Sequence, residues 1–338
     1  MTEHREKRPD QIAQGIMIIL ASVVAMAFAD AVVKLVSSNL TLWQVFAARS
    51  LFAVPCLIVL GHVRQVPFGA VFDPWVLLRS GLLVMTWLAF YASLPVLDLS
   101  VAAVAVYTNP ILTALLCALV LGERVSGRQW LGVLVGFAGV AAILRPGTDA
   151  FTWLVGLPLL GAALYSAAMV LTRTKCQHND AVNLALGLHG SFIVTGLGAT
   201  AVLAVLDLEA ETVAAYPFLL GTWTPMGSAE WALMAFLGVL SAAFFLGVAR
   251  AYQIAPPQII GTFDYAYLVS AALWGFIFFA EQPDALTLLG MALITSAGLL
   301  VAERRAEPLE GRECVERTPS SGELTESPGK PGRARPPR

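Results

Sequence analysis

The sequence predicts an all-α integral membrane protein in which ten transmembrane helices form two inverted five-helix repeats. Three observations predict this fold: an apolar composition, ten apolar stretches of membrane-spanning length, and a match between the two halves of the chain. Of the 338 residues, 57% are hydrophobic and only 13% are charged, and the mean hydropathy is +0.73. Because soluble domains carry roughly 25% charged residues, a chain that crosses a membrane several times is expected.

The apolar stretches are long enough to cross a bilayer, which takes about 20 residues per helix. They lie near 14–36, 42–61, 74–95, 99–121, 127–144, 152–173, 182–206, 230–252, 257–280 and 284–302. Short segments with proline, glycine or charged residues separate them, and only 207–230 forms a loop of any size.

These limits divide the chain into four parts. A cytoplasmic N-terminal segment (1–13) precedes the first repeat (14–145), and the second repeat (152–302) precedes a tail (303–338). The tail is rich in Pro, Gly, Ser, Arg and Glu and has little apolar surface to bury. It is therefore predicted to be a disordered cytoplasmic tail.

The distribution of basic residues predicts the orientation in the membrane. With the N-terminus in the cytoplasm, the opposite side holds Arg145 alone, apart from Lys34 near a helix end. The longest outer loop has four acidic residues and no Lys or Arg. By the positive-inside rule, both termini are expected in the cytoplasm and the protein in the cell inner (cytoplasmic) membrane.

The two halves of the chain match each other without gaps over two segments. Residues 107–139 align with 265–297, which pairs Tyr107 with Tyr265. Upstream, 15–34 aligns with 156–175. Because five helices per repeat is an odd number, the second repeat must enter the membrane upside down. Such inverted repeats are typical of alternating-access transporters, whose substrate site lies between the repeats near the midplane.

Two similar segments end the fourth helix of each repeat. Leu121-Gly122-Glu123 is followed by Gly132 and Gly136, and Phe279-Ala280-Glu281 is followed by Gly290. With these segments, Arg49 in the second span and Asn109-Pro110 in the fourth, the chain resembles the EamA-type ten-helix members of the drug/metabolite transporter superfamily over 15–145 and 156–302.

The resemblance implies an exporter or importer of small organic solutes. In that family, helices one to four and six to nine line the cavity, while helices five and ten are peripheral and often form a dimer contact. The sequence departs from repeat symmetry at two positions, since Arg49 aligns with Gly190 and Asn109-Pro110 aligns with Tyr267-Leu268.

Ionisable residues inside predicted spans are functional candidates, because a charge at the helix centre costs about 2.5–3.5 kcal/mol even on the insertion scale. Five qualify: Asp30, Lys34, Arg49, His189 and Asp264. By a rise of about 1.5 Å per residue, Asp30 and Arg49 both lie roughly 10 Å below the outer surface.

Asp30, Lys34 and Arg49 are expected to form a charged triad. Asp30 and Lys34 share a helical face at i, i+4, and Arg49 is the second cation across the hairpin. One interpretation is a neutralising cluster. The other makes the surplus positive charge an outer gate or an attractor for an anionic group, with Asp30 as a proton carrier.

A second group of candidates lies deeper. Pro110 kinks the fourth span and frees a backbone carbonyl, so Tyr107, Asn109 and Pro110 form either a substrate wall or a packing kink. Tyr265 is expected to face Tyr107 across the pseudo-two-fold axis.

Asp264 and His189 each have alternatives to a functional role. Asp264 forms an ion pair with Arg250 or a hydrogen bond with His189 in those alternatives, and His189 is a satisfied packing residue. Glu123 and Glu281 are interpreted as structural positions.

Gly132 and Gly136 form a GxxxG pattern on the fifth span, which Gly139 extends. This small-residue face suits either close helix packing or a dimer seam. The partners expected from the sequence are therefore a small-molecule substrate, the lipid bilayer and a second copy of the chain.

The functional prediction is a secondary transporter of a small polar metabolite that is amino-acid-like, vitamin-like or metallophore-like, working in efflux by alternating access. An uptake carrier is the first alternative, and an intramembrane enzyme or a non-transporting scaffold is the alternative of another class. The sequence has no catalytic or metal-binding pattern, so no cofactor is expected. The net charge of −2 argues against nucleic acid as a partner.

Overall fold

A computed structural model of the chain describes most of the sequence between residues 9 and 302. The described residues are 9–109, 111–112, 115–116, 127–144, 153–176, 178–206, 208–254, 263 and 265–302. All regular secondary structure among them is helical, and no strand occurs in these ranges.

Helices α1 to α10 follow the order of the predicted spans. They are α1 (Pro9–Val36), α2 (Leu42–Val63), α3 (Pro74–Ser93), α4 (Leu99–Val106), α5 (Gly127–Leu144), α6 (Gly156–Thr174), α7 (Ala181–Val205), α8 (Ser228–Ile254), α9 (Ala266–Phe279) and α10 (Ala285–Ala302). Short 3₁₀ segments, Phe68–Phe72 and Trp153–Val155, precede α3 and α6.

Six of these helices, α1, α2, α3, α6, α7 and α8, are long and apolar enough to cross a membrane. Large apolar side chains on their surfaces are exposed, among them Val59, Val194 and Phe236. A water-facing protein rarely exposes so much contiguous apolar surface, whereas a lipid-facing helix requires it. The chain is therefore a multi-pass membrane protein.

Side-chain caps fix where several helices begin. Thr41 and Gln44 form a capping box at α2, in which each side chain bonds the backbone of the other residue. Asp73 and Asp180 accept hydrogen bonds from backbone N–H groups in the first turns of α3 and α7, both at 2.8 Å. These caps satisfy helix donors that have no intrahelical partner.

Helix α2 is held tightly between α7 and α8. A Cβ on Gly196 of α7 would lie 2.5 Å from the Trp43 carbonyl oxygen, and a Cβ on Gly238 of α8 would lie 2.3 Å from the Arg49 carbonyl oxygen. Only glycine permits backbones to approach so closely. The position of Arg49 is therefore fixed by two neighbouring helices.

The main helix contacts in the first half of the chain have equivalents in the second half. The equivalents are found by exchanging α1 with α6, α2 with α7, and so on to α5 with α10. Helix α1 packs on α8 as α6 packs on α3, and α1 packs on α9 as α6 packs on α4. The pairs α2–α7, α4–α9 and α5–α10 also agree with this exchange, because it turns each of these pairs into itself.

The small-residue face of α5 packs within the chain. A Cβ on Gly139 would lie 3.0 Å from Leu293 Cβ and 3.1 Å from the Gly290 carbonyl oxygen, both on α10. A Cβ on Gly136 would lie 3.4 Å from Ala297 Cβ of the same helix. Of the two interpretations of this face, close helix packing is the one observed.

The segment 208–230 contains more regular structure than the expected loop. It contains two short helices, Ala210–Ala215 and Pro217–Leu220. It also docks on the start of α2, since Trp43 Nε1 donates to the Leu219 carbonyl at 2.7 Å and Gln44 Nε2 donates to the Thr224 carbonyl at 2.6 Å. These helices are too short, at six and four residues, to be predicted from the sequence pattern.

Gly139→Leu is expected to destabilise the protein by about 1–3 kcal/mol, because the added side chain overfills the α5–α10 contact. Gly81→Leu is the matched control, since a Cβ on Gly81 meets nothing within 4 Å. Thermal unfolding of the two variants in detergent measures the difference. If the two variants had equal unfolding temperatures and Gly139→Leu formed fewer dimers, the glycine face would instead be a dimer seam.

Candidate functional site

Asp30 of α1 is fully buried and bonded to two tyrosines. Its Oδ1 accepts a hydrogen bond from the Tyr91 hydroxyl at 2.8 Å, and its Oδ2 accepts one from the Tyr267 hydroxyl at 2.6 Å. Tyr91 comes from α3 and Tyr267 from α9. Each carboxylate oxygen thus has a donor from a different helix, which lowers the cost of burying the acid.

Arg49 of α2 completes this network through Tyr91. The Arg49 side chain is 2% exposed, and its Nη1 donates to the Tyr91 hydroxyl oxygen at 3.0 Å. The Tyr91 hydroxyl therefore accepts from the cation and donates to the anion. We call Arg49, Tyr91, Asp30 and Tyr267 the Asp30 network; it joins α1, α2, α3 and α9.

Three aromatic rings surround the Arg49 guanidinium. Its Cζ lies 4.9 Å from the Phe192 ring centre, 5.4 Å from that of Tyr91 and 5.7 Å from that of Phe46. Cation–π attraction at such distances is worth about 2 kcal/mol or more where water is excluded. The rings therefore compensate part of the lost hydration of the charge.

Tyr107 and Tyr265 lie side by side, as the repeat alignment predicts. Their ring centres are 5.9 Å apart. Tyr107 also stacks on Tyr267, with ring centres 4.8 Å apart and an angle of 16° between the planes. The aromatic pair between α4 and α9 thus adjoins the Asp30 network through Tyr267.

Lys34 is one turn further along α1, and it does not pair with Asp30. Its Nζ forms an ion pair with the Glu281 carboxylate and donates to the Leu97 carbonyl at 2.6 Å. The expected triad is therefore wrong in one respect, because Glu281 neutralises Lys34 and leaves no spare positive charge among the three residues.

Glu281 joins the ends of three helices. Its Oε1 pairs with Lys34 of α1, and its Oε2 accepts from the Leu99 backbone N–H at 2.8 Å, at the first residue of α4. A carboxylate at a helix N-terminus is favoured by the helix dipole. We call Lys34, Glu281, Leu97 and Leu99 the Lys34–Glu281 cluster.

A tight turn after α9 presents the Glu281 side chain. Ala280 has φ 55° and ψ 25°, the left-handed conformation that normally favours glycine. The N–H groups of Ala280 and Glu281 both bond to carbonyls of the last turn of α9. A Cβ on Gly275 would lie 2.7 Å from Glu281 Oε2, so the carboxylate folds back over a glycine.

His189 of α7 is fully buried, and it contacts two neighbours of Arg49, Ser50 and Phe192. Its Nδ1 is 3.0 Å from the Ser50 hydroxyl oxygen, next to Arg49 in sequence. Its ring lies 6.1 Å from the Phe192 ring, centre to centre.

Asn109 is half-buried, and its carbonyl accepts from the Ser166 hydroxyl at 2.9 Å. The structure thus brings Asp30 and Arg49 together with Tyr107, Tyr265 and His189 nearby. Pro110, Asp264 and Glu123 lie outside the described residues.

Sequence reasoning missed two central residues. Tyr91 was not singled out, and Glu281 was interpreted as structural only. A buried tyrosine normally needs a partner for its hydroxyl, so a lone Tyr in an apolar span opposite Asp30 and Arg49 was the available signal. For Glu281 the signal was its C-terminal position on a helix, where an acid needs a cation.

Comparison with known proteins agrees with this fold. The profile of the EamA-like transporter family matches residues 13–145. A riboflavin transporter of Rhizobium johnstonii is 30% identical, covering 78% of this chain and 80% of its own length. The pseudopaline exporter CntI of Pseudomonas aeruginosa is 24% identical, with 88% and 98% covered.

Two further similarities extend over most of the chain. An S-adenosylmethionine uptake transporter of Rickettsia prowazekii is 25% identical, covering 85% of this chain and 92% of its own length. A crystal structure aligns with a TM-score of 0.55 at 20% identity, covering 90% of this chain and 99% of that one, which shows the fold alone. The chain belongs to the EamA-like transporter family and is a transporter of small metabolites.

Proposed function

We propose that the protein is a secondary transporter that exports a small polar organic metabolite by alternating access. The observation that carries the proposal is the Asp30 network, in which an acid and a base are buried between helices of both halves of the chain. Buried ionisable groups in membrane proteins mark substrate pathways and proton relays.

We propose further that the chain crosses the membrane ten times in two inverted repeats, with α1 to α5 in the first five crossings and α6 to α10 in the last five. The exchange of packing partners between the halves supports this arrangement. In it, both termini lie in the cytoplasm and the Lys34–Glu281 cluster lies at the outer end of the cavity. The membrane is then the cell inner membrane, in keeping with the positive-inside pattern.

Asp30 is the proposed proton carrier. In the network, its carboxylate accepts hydrogen bonds only, as an ionised acid does. Taking up a proton turns one oxygen into a donor, so a tyrosine hydroxyl must rotate away. A change of protonation is thereby converted into a change of contacts among α1, α3 and α9. Asp264 stays a candidate for a second carrier on sequence grounds.

The Lys34–Glu281 cluster is the proposed outer gate. It ties the end of α1 to the turn after α9 and the start of α4. Opening the outer side of an alternating-access carrier separates such ends, and an ion pair near the surface is a contact that water can replace.

The substrate is proposed to be amino-acid-like, vitamin-like or metallophore-like. The names of the relatives, which refer to riboflavin, pseudopaline and S-adenosylmethionine, support a polar metabolite of this size. Those names include both an exporter and an uptake transporter. Uptake is accordingly the alternative direction.

A homodimer is proposed to use the α5–α10 pair, because its outer surface is apolar and exposed at Trp130, Leu134 and Phe137.

Reconstituted vesicles test the proposed function directly. Vesicles containing the protein are given a pH gradient and a defined mixture of amino acids, amino-acid amides, riboflavin, nucleosides and sugar phosphates. We expect at least one solute to be enriched or depleted relative to protein-free vesicles, and reversing the gradient to reverse the movement. Mass spectrometry of the vesicle contents measures it. Identical contents with and without the protein would contradict transport of these classes.

Asp30→Asn is expected to abolish solute accumulation driven by a pH gradient while solute exchange at equal pH continues. An amide at position 30 keeps the size of the side chain but binds no proton. Glu209→Gln is the control, because Glu209 is exposed and makes no side-chain cap bond. Unchanged gradient-driven accumulation in Asp30→Asn would refute proton coupling through this residue.

Breaking the Lys34–Glu281 ion pair is expected to raise outer accessibility about tenfold, a change of about 1.4 kcal/mol. The reporter is Leu97→Cys, a buried position in the cluster, in a chain whose native cysteines are replaced. Labelling by an impermeant maleimide is compared with and without Glu281→Gln.

Lys175→Met is the control for charge removal in this experiment. Lys175 aligns with Lys34 in the repeat but is exposed, 5.1 Å over the Trp75 ring. The labelling rate of position 97 should not change in this variant. A rate that stays the same in Glu281→Gln as well means that the cluster is not a gate.

A further inference from the structure

One edge of the Arg49 guanidinium has no partner among the described residues. Nη1 bonds to Tyr91, whereas Nε and Nη2 are buried and make no hydrogen bond in this part of the chain. The Nε–H bond and one Nη2–H bond run parallel along the same side of the planar group. Together they form the fork that binds both oxygens of a carboxylate.

Leaving this fork unused is unfavourable inside a membrane protein. An unpaired buried donor costs about 1–3 kcal/mol, and more when it is charged. Arg49 is 2% exposed, and three aromatic rings enclose its guanidinium. The side chain itself therefore has little access to solvent that would satisfy these donors.

A second unpartnered nitrogen lies on the facing helix. His189 Nε2 of α7 is buried and has no hydrogen-bond partner among the described residues, while its Nδ1 contacts Ser50 of α2. Phe192 contacts both the Arg49 guanidinium and the His189 ring. Arg49 and His189 thus both adjoin Phe192 at the α2–α7 contact, and each has a buried nitrogen without a partner among the described residues.

We propose that the Nε–Nη2 edge of Arg49 binds the carboxylate of the transported solute, with His189 as a second polar contact. This inference rests on the proposed transport function and specifies its substrate class. The solute is an organic acid or a zwitterion whose carboxylate docks on α2 while the rest of the molecule extends toward the tyrosines of α4 and α9.

The charges of the site favour a carboxylate over a phosphate monoester. Arg49 and Asp30 carry one positive and one negative charge, and the cation of Lys34 is already paired with Glu281. The single positive charge of Arg49 matches the single negative charge of a carboxylate. A phosphate dianion would need a second cation, and the aromatic surroundings of Arg49 do not provide one.

The vesicle assay with the defined mixture tests this inference separately from transport itself. We expect the solutes moved by the wild-type protein to be amino acids rather than their amides, nucleosides or riboflavin. Arg49→Lys is expected to raise the half-saturation concentration for these acids at least tenfold, because lysine keeps the charge but lacks the fork. Arg49→Gln is expected to abolish their transport.

Three controls make the outcomes distinct. Arg64→Gln removes an exposed arginine and should leave the half-saturation concentration unchanged. Gel filtration and thermal unfolding verify that the Arg49 variants are folded. Inorganic phosphate, added as a competitor, should not inhibit, and inhibition at equimolar concentration would assign the fork to phosphate instead.

Transport of amides or nucleosides as fast as of acids would overturn the inference while leaving the transporter assignment intact. Equal half-saturation concentrations in the wild type and Arg49→Lys would overturn it as well. If no solute moves at all, the proposed transport function is wrong. This result differs from transport without a preference for acids, which contradicts only the present inference.

Discussion

The structure depends on one constraint: a charge inside a membrane must find its partners within the protein, because lipid offers none. Asp30 meets it through two tyrosine hydroxyls, and Arg49 meets it partly through one of the same tyrosines. The result is a bonded path from α2 through α3 and α1 to α9. None of these helices can shift far without breaking a hydrogen bond to a buried charge, so the network restricts the conformations open to the carrier.

Helix α1 carries two charged residues with contacts at different depths, one in the interior of the protein and one near the end of the helix. Asp30 bonds to α3 and α9 in the interior, and one turn later Lys34 bonds to the turn after α9 and the start of α4. Both sets of contacts therefore report on the position of α9 relative to α1. The aligned positions of the second half differ, since Asp30 aligns with Leu171 and the aligned Lys175 lies at the surface over Trp75.

The length of the apolar stretches predicted the six long apolar helices, and the repeat alignment predicted the proximity of Tyr107 to Tyr265, because both depend on patterns spread over many residues. Single contacts were harder to predict. The i, i+4 spacing suggested Asp30 as the partner of Lys34, but the actual partner, Glu281, is 247 positions away and reaches Lys34 only through tertiary packing. The GxxxG pattern of α5 likewise predicted a close contact without identifying α10, since small residues fit any partner.

The left-handed turn at Ala280 has a kinetic consequence. A residue with a Cβ costs about 1–2 kcal/mol in this conformation, whereas glycine does not. The turn before Glu281 stores this energy, whereas the sequence has a glycine, Gly122, at the aligned position of the first half. Releasing the turn lets Ala280 relax to an ordinary backbone conformation. In the proposed outer gate, this strain opposes the contacts of Glu281 and favours rapid opening over tight closure.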